Sequence, residues 1–377
     1  MNVKEFNKLS HGTLPRMMVV SGFPDAGKTT AIGKLAAYLK GKGSRVGIIT
    51  NDQGTELVDT VVQRNNGFET EEVLGGGFAS RGEALNEALR KLTEASNPDL
   101  FIAEPVGSSA DLVASLFRPL ERARGRKLHL HGLSVLIDPA QAMRVFGLDS
   151  SRSISEPLSY LYRKQLEEAD FLVINKMDLH SADVGGLKKL LAREYPQGKI
   201  FEVSAKTGAQ MEPWFEAALG SSVNLQKNIS LDYDLYGEGE MLMGWLNARV
   251  ELRSIRGLDS GKVLQVLAEE IQFRLQATAV ELIQLKMALS AQESSGKIAV
   301  ARLGRNDSAA DVSDQIPEPV ESGRLILNLR AETAPETLHK IVTGAMKRLC
   351  EQVPHLFARM EHIEHFRPAR SKPVEVV

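Results

Sequence analysis

The sequence predicts an α/β protein: a doubly wound, mostly parallel sheet domain of the phosphate-loop type, followed by a smaller α+β domain. Three observations predict it. Short apolar runs alternate with polar helical segments as far as Ser221, a glycine-rich loop joins the first strand to the first helix, and the alternation gives way near residues 221–234 to a different element order. At 377 residues the chain exceeds one typical core. A boundary between residues 225 and 226 is therefore expected.

Residues 17–21 are an apolar strand running into the loop, and residues 29–40 place Ile32, Leu35, Ala36 and Leu39 on one helical face. Further apolar runs at 45–50, 100–103, 133–137, 171–174 and 200–203 read as buried parallel strands, with helical segments such as 81–95 between them. Beyond residue 234 the expected order is strand 246–253, helix 260–278, strands near 280–289, 297–303 and 325–329, helix 335–352, then a short tail. Residues 306–322, rich in Asp, Ser and Pro, read as a mobile surface loop.

The 46 basic and 48 acidic residues nearly cancel, which removes the positive field expected of a non-specific nucleic-acid binder. No apolar run approaches the ~20 residues that cross a bilayer, and residues 1–6 lack the apolar stretch of a secretory leader. A cytoplasmic protein with neither nucleic-acid nor membrane partners is expected. The single cysteine, Cys350, excludes an internal disulfide and a multi-cysteine metal site within one chain.

Gly22-Phe23-Pro24-Asp25-Ala26-Gly27-Lys28-Thr29-Thr30 is a complete phosphate-binding loop. Its glycines let backbone N–H groups approach phosphates, Lys28 neutralises their charge, and the Thr29 hydroxyl suits Mg²⁺. Pro24 removes one donor from that cradle. Asp25 sets a carboxylate beside phosphates, which is unfavourable without a compensating charge. It is expected to face outward toward a partner or to orient water, the alternative being a solvated loop residue.

Asn175-Lys176-Met177-Asp178 follows another apolar run. The Asp178 carboxylate can accept from both the ring N–H and the exocyclic amine of guanine, a donor pair adenine lacks, so GTP and GDP are expected over ATP. Asn175 is expected to support the loop, Lys176 to lie over the ring, and Ser204-Ala205-Lys206 to bring a backbone N–H to the guanine carbonyl. Glu104 ends a strand where an acidic residue can hold Mg²⁺, and Gly107 follows where a backbone N–H can sense a γ-phosphate. Asp52, in Thr50-Asn51-Asp52-Gln53, is placed to reach Mg²⁺ or the attacking water, or is an ordinary turn residue. The catalytic candidates are thus Lys28, Asp52 and Glu104, and the Mg²⁺ candidates Thr29, Asp52 and Glu104.

These stretches, together with Thr-Asn-Asp-Gln-Gly-Thr-Glu-Leu-Val-Asp-Thr from Thr50, Glu-Glu-Val-Leu-Gly-Gly-Gly-Phe-Ala-Ser from Glu71, Ala-Glu-Pro-Val-Gly-Ser from Ala103 and Val-Ile-Asn-Lys-Met-Asp-Leu from Val173, resemble the CobW-like GTPases of the metal-centre branch of phosphate-loop proteins. The resemblance spans most of residues 17–220 and implies a slow, partner-stimulated, Mg²⁺-dependent GTPase. It also implies a client metalloprotein or cofactor-dependent enzyme, and a GTP-dependent homodimer.

One departure stands out. Where such proteins carry a C-x-C-C motif, this chain has Gly77-Phe78-Ala79-Ser80, which cannot replace three soft thiolates. Whether a transition metal is handled therefore stays open between two readings: a metal-coupled switch, and a GTP-gated regulatory module that handles no metal. A histidine substitute would draw on His129 and His131, alternating before a strand, or on His355, His362 and His365 near the carboxy terminus.

Overall fold

The computed structural model describes residues 14–55, 57–124, 128–149, 154–180, 184–291 and 297–368. Two compact units emerge. One runs through Gln53 and resumes over Asn66–Gly239, and the other takes Gly54–Asn65 and resumes at Glu240. The division therefore does not fall at one point between residues 225 and 226.

In the first unit β1 (Arg16–Gly22), β2 (Val46–Asp52), β3 (Glu69–Leu74), β4 (Leu100–Glu104), β5 (His129–Leu130), β6 (Ser134–Ile137), β7 (Phe171–Ile174) and β8 (Lys199–Glu202) form a sheet in the order β3-β2-β4-β1-β6-β7-β8, with β5 beside β1. Every pair in it is parallel. β3 went unread in the sequence because Glu-Thr-Glu-Glu-Val-Leu is polar, as suits its place at the sheet edge.

Helices α1 (Lys28–Gly41) and α2 (Val58–Asn65) follow β1 and β2. α3 (Gly82–Ser96), α4 (Pro139–Val145), α5 (Glu156–Glu167), α6 (Met211–Leu219) and α7 (Tyr233–Leu242) complete the helices that matter here. One face of the sheet buries Met18, Val20, Ile48, Ile102 and Val173 against Ile32, Leu35 and Ala36 of α1 and Trp214 of α6. The Trp214 indole N–H donates to Ser134 Oγ at 3.1 Å, so this large side chain is buried without an orphaned polar atom. The packing aligns the carboxyl ends of the strands, where the candidate residues lie.

The second unit is an antiparallel sheet of β9 (Met243–Leu258), β10 (Glu281–Ala291), β11 (Ile298–Leu303), β12 (Asp311–Ser313), β13 (Val320–Glu332) and β14 (Leu356–Phe366), ordered β12-β11-β10-β13-β9-β14. Two helices, α8 (Ser260–Ala277) and α9 (Pro335–Gln352), cover one face through Leu264, Leu267, Ile271, Leu338, Val342 and Leu349.

Across the other face lies α2, whose Val58 and Val62 join Ala288, Ile298, Val300 and Ile326 in a separate apolar cluster. Lys286 pairs with Asp59 at 2.7 Å, and the Val58 N–H donates to Asn328 Oδ1 at 3.0 Å. Apolar and polar contacts thus both assign α2 to this unit.

Two sequence expectations need correction in this unit. Residues 306–322 are not simply a loop, since they hold β12, the buried Ile316 and the start of β13, and Gln272 donates to Asn306 O at 2.8 Å. The described part of the short tail holds strand β14, which pairs with β9. Its alternation is obscured by charged residues that suit an edge position.

Candidate nucleotide site

β1 delivers the phosphate loop, and the conformation of that loop explains its glycines. Gly22 sits at φ 137°, where an added Cβ would lie 2.4 Å from Leu136 O on the neighbouring strand. Gly27 has φ 90°, and a Cβ there would meet Asn175 Nδ2 at 2.3 Å. Gly27 is also the residue before α1, and no side chain caps that helix. Its first N–H groups are therefore directed into a cradle with a favourable helix dipole for phosphate oxygens.

Lys28 and Thr29 are buried, at 6% and 4% exposure. The Lys28 ammonium donates to Phe23 O at 3.2 Å and so stays folded over the loop. The Thr29 hydroxyl lies 3.1 and 3.2 Å from the two oxygens of Glu104 at the end of β4. This hydroxyl and carboxylate are hard oxygen donors of the kind Mg²⁺ takes, so the residues present fit that ion. Thr30 is the next residue of the helix.

Asp52 ends β2, two residues beyond Thr50, which lies opposite Glu104 in the sheet register. Its Oδ1 accepts from the Gln53 N–H at 2.6 Å. Gly107 packs against Pro24, with an added Cβ falling 2.9 Å from Pro24 Cγ. The missing N–H of Pro24 thus coincides with a contact that keeps the Gly107 segment close to the loop.

The candidate base end follows β7 and β8. Asn175 Nδ2 donates to Ala26 O at 2.9 Å, while its Oδ1 accepts from the Ala205 N–H at 2.8 Å. Asp178 Oδ1 accepts from Ser204 Oγ at 2.6 Å, so one carboxylate oxygen is used in holding the Ser204-Ala205-Lys206 turn. The arrangement ties a phosphate cradle to a carboxylate suited to paired N–H donors, and one buried amide makes the tie.

Residues 16–201 match the family described as CobW/HypB/UreG, nucleotide-binding domain. This stretch is a CobW/HypB/UreG nucleotide-binding domain. Among curated proteins, the zinc chaperone CobW of Sinorhizobium sp is 30% identical over 205 residues, covering 48% of this chain and 55% of that protein. The chain thus spans about half the length of that relative. Among solved structures, the hydrogenase maturation factor HypB of Archaeoglobus fulgidus aligns at a TM-score of 0.39 with 20% identity, covering 58% of this chain and 95% of that one. Zn(II)-bound YjiA GTPase of E. coli aligns at 0.37 with 14% identity, covering 89% and 99%.

Asp25 of the CobW/HypB/UreG domain departs from the sequence expectation. Its carboxylate lies 2.7 Å from the Lys176 ammonium and its side chain is only 13% exposed, so it is engaged in an internal ion pair rather than fully solvated. Lys176 makes a second 2.7 Å pair with Asp138 at the end of β6. Asp138, missed from the sequence, also accepts from the Ala140 and Gln141 N–H groups and caps α4. The Asp-Pro pair after an apolar strand was the available signal.

Burial pushes the Lys176 ammonium down, but the charges of Asp25 and Asp138 outweigh it and hold its pKa above the ordinary lysine value. Burial likewise pushes Asp138 up, and Lys176 with the two N–H donors holds it below the usual aspartate value. Lys176 and Asp138 therefore both stay charged near neutrality.

The segment after Gly107 is fastened within the first unit by residues the sequence did not single out. Gln165 of α5 donates to Gly107 O at 2.8 Å and Ser109 O at 2.9 Å. Tyr236 of α7 donates to Ser108 O at 2.9 Å and accepts from the Ala110 N–H. The fully buried Glu168 accepts from the Leu112 and Val113 N–H groups, and burial raises its pKa to about 8 despite those bonds.

Four of the five candidate histidines have local partners. His129 and His131 pack edge to face at 4.7 Å, with His129 Nε2 and His131 Nδ1 each 3.1 Å from Ser221 O, and burial lowers His131 to a pKa of about 4. His362 neighbours Glu364 and Thr55, whereas His365 stacks against His339. Among the described residues no group of three or more His, Cys, Asp or Glu could hold a metal ion. No described helix is long and apolar enough to cross a membrane.

Proposed function

We propose that this protein binds GTP with Mg²⁺, hydrolyses it slowly, and uses that cycle as a switch coupled to insertion of a metal or metal-containing cofactor into a client protein. The observation that carries the nucleotide part is Asn175, whose side chain joins Ala26 of the phosphate loop to Ala205 beside Asp178. One buried residue thereby sets the distance between a triphosphate cradle and a guanine-selective carboxylate.

In this reading Lys28 and the α1 N-terminus take phosphate charge, and Thr29 with Glu104 would hold Mg²⁺, which would supply positive charge to offset that developing on the phosphates. Asp52 orients water, and Gly107 presents its N–H to the γ-phosphate. Turnover stays low until a partner, or a second copy in a GTP-dependent homodimer, completes the site. A cytoplasmic location belongs to the same reading.

The test is competition for the unmodified chain in Mg²⁺: GTP and GDP displace a fluorescent guanine nucleotide, and ATP does not. Equal displacement by ATP refutes guanine recognition.

The second reading, a GTP-gated regulatory module without metal handling, is favoured by Gly77-Phe78-Ala79-Ser80. Phe78 and Ser80 stand in a one-turn helix after Gly77, and the Ser80 hydroxyl donates to Gly77 O at 3.0 Å. A hydroxyl so engaged is a poor substitute for a thiolate. The name of the zinc chaperone relative makes Zn²⁺ the first metal to try. Stoichiometric metal in the GTP or GDP state selects the first reading; its absence in both, with partner capture in one only, selects the second.

A further inference from the structure

From the pairing of Lys176 with Asp25 and Asp138 we infer that the lysine of the base-recognition loop is a counter-charge that lets the phosphate loop carry a carboxylate, with both aspartates acting as positioning residues. This rests on the guanine-nucleotide reading above and adds a function for residues that reading leaves unexplained.

Asp25 lies between Pro24 and Ala26, inside a loop whose chemistry favours anions, so a bare carboxylate there would repel phosphates. The structure surrounds that carboxylate with a cation rather than solvent: Lys176 Nζ is 2.7 Å from Asp25 Oδ2 and 2.7 Å from Asp138 Oδ2. The lysine side chain is 24% exposed and the two carboxylates 13% and 5%. Screening by water is therefore weak at the centre of the triad.

Backbone conformation supports the same assignment. Asp25 has φ 67° and Lys176 φ 59°, both left-handed, and lysine gains nothing intrinsic there. From these two left-handed residues the side chains meet at 2.7 Å. Asp138 fixes the third corner, because its Oδ1 caps α4 while Oδ2 holds the lysine.

The consequence is a split in what Lys176 contributes. Packing over a purine would affect guanosine and GTP alike, whereas masking Asp25 affects only ligands that carry phosphates. The discriminating quantity is the ratio of guanosine Kd to GTP Kd, which reports the affinity added by the phosphates.

Lys176→Met leaves the Asp25 charge unmasked and should lower that ratio by about tenfold or more. Asp25→Asn alone removes the repulsion and leaves Lys176 with Asp138, so GTP should bind about threefold tighter with guanosine little changed. The double variant, Asp25→Asn with Lys176→Met, should restore the ratio to within about threefold of the unmodified chain, since charge and counter-charge leave together.

Far-UV circular dichroism and the urea midpoint establish that each variant is folded, and Asp25→Asn provides a second readout that needs no lysine substitution. If Lys176→Met weakens guanosine and GTP in equal proportion, or the double variant does not regain the ratio, the inference is overturned while the guanine reading stands. An unmodified chain that binds no guanine nucleotide overturns both.

Discussion

Glu168→Gln should flatten part of the pH dependence of stability. In the native protein the Glu168 side chain is shut away from water, and burial lifts its pKa to about 8 from the ordinary glutamate value of 4.5, with nearby Asp111 adding to the rise and the Leu112 and Val113 N–H groups and Lys227 opposing it. Below the lower value both native and unfolded chains hold the proton. Between the two values the unfolded chain releases it while the native chain retains it, so stability falls as pH rises and levels off above about 8.

A gap of that size is worth at most about 5 kcal/mol, and relaxation around the ionised carboxylate reduces it, so a fall of about 2 kcal/mol or more between pH 5 and pH 8 is expected. Glutamine copies the protonated carboxyl, keeping one acceptor for the two N–H groups, and cannot titrate. Urea unfolding of both proteins at pH 5, 6, 7 and 8 should show the unmodified chain losing stability relative to Glu168→Gln. Parallel stability curves, offset by any constant amount, would refute the reasoning, because every other titrating group is common to the two.

Three further outcomes follow from the geometry. Gly22→Ala should destabilise by about 2–4 kcal/mol in a urea titration, through positive φ and the approach of its Cβ to Leu136 O; a change under about 0.5 kcal/mol refutes the strain argument. On the proposed guanine reading, Asp178→Asn should shift preference from GTP toward xanthosine triphosphate in competition binding, because the carboxylate that would accept both guanine donors is lost; unchanged selectivity refutes the base assignment. Asp59→Ala removes the counter-charge of Lys286, which is 8% exposed, and should cost about 2–3 kcal/mol. The expected fall in thermal midpoint should shrink when Lys286 is also changed to Met.

What was legible in the sequence was whatever is encoded locally. β1, β4, β6 and β7 are buried in the sheet and therefore read as apolar runs, and the phosphate loop announces itself because Gly22, Gly27, Lys28 and Thr29 fall at the G-x-x-x-x-G-K-T spacing. β3 and β14 were hidden because edge strands carry charge on faces that meet water. Long-range pairing was out of reach in principle. The partner of Asp25 is 151 positions away at Lys176, and that of Asp59 is 227 positions away at Lys286. The same charges read singly suggest solvent or an external partner; read as pairs, they are internal supports.

The assignment of Gly54–Asn65 to the second unit means that the two units cannot be separated by a single cut. A polypeptide of residues 226–377 alone would lack the stretch that covers Ala288, Ile298, Val300 and Ile326, leaving a greasy strip of β-sheet bare. The donor of that patch is the chain immediately after Asp52, and a Cβ on Gly54 would lie 1.8 Å from Asn247 Nδ2, so even the first residue past the crossing is closely fitted. Modularity in this protein therefore follows an interleaved thread: transplanting either half onto another scaffold requires carrying across a dozen-residue splice from the other.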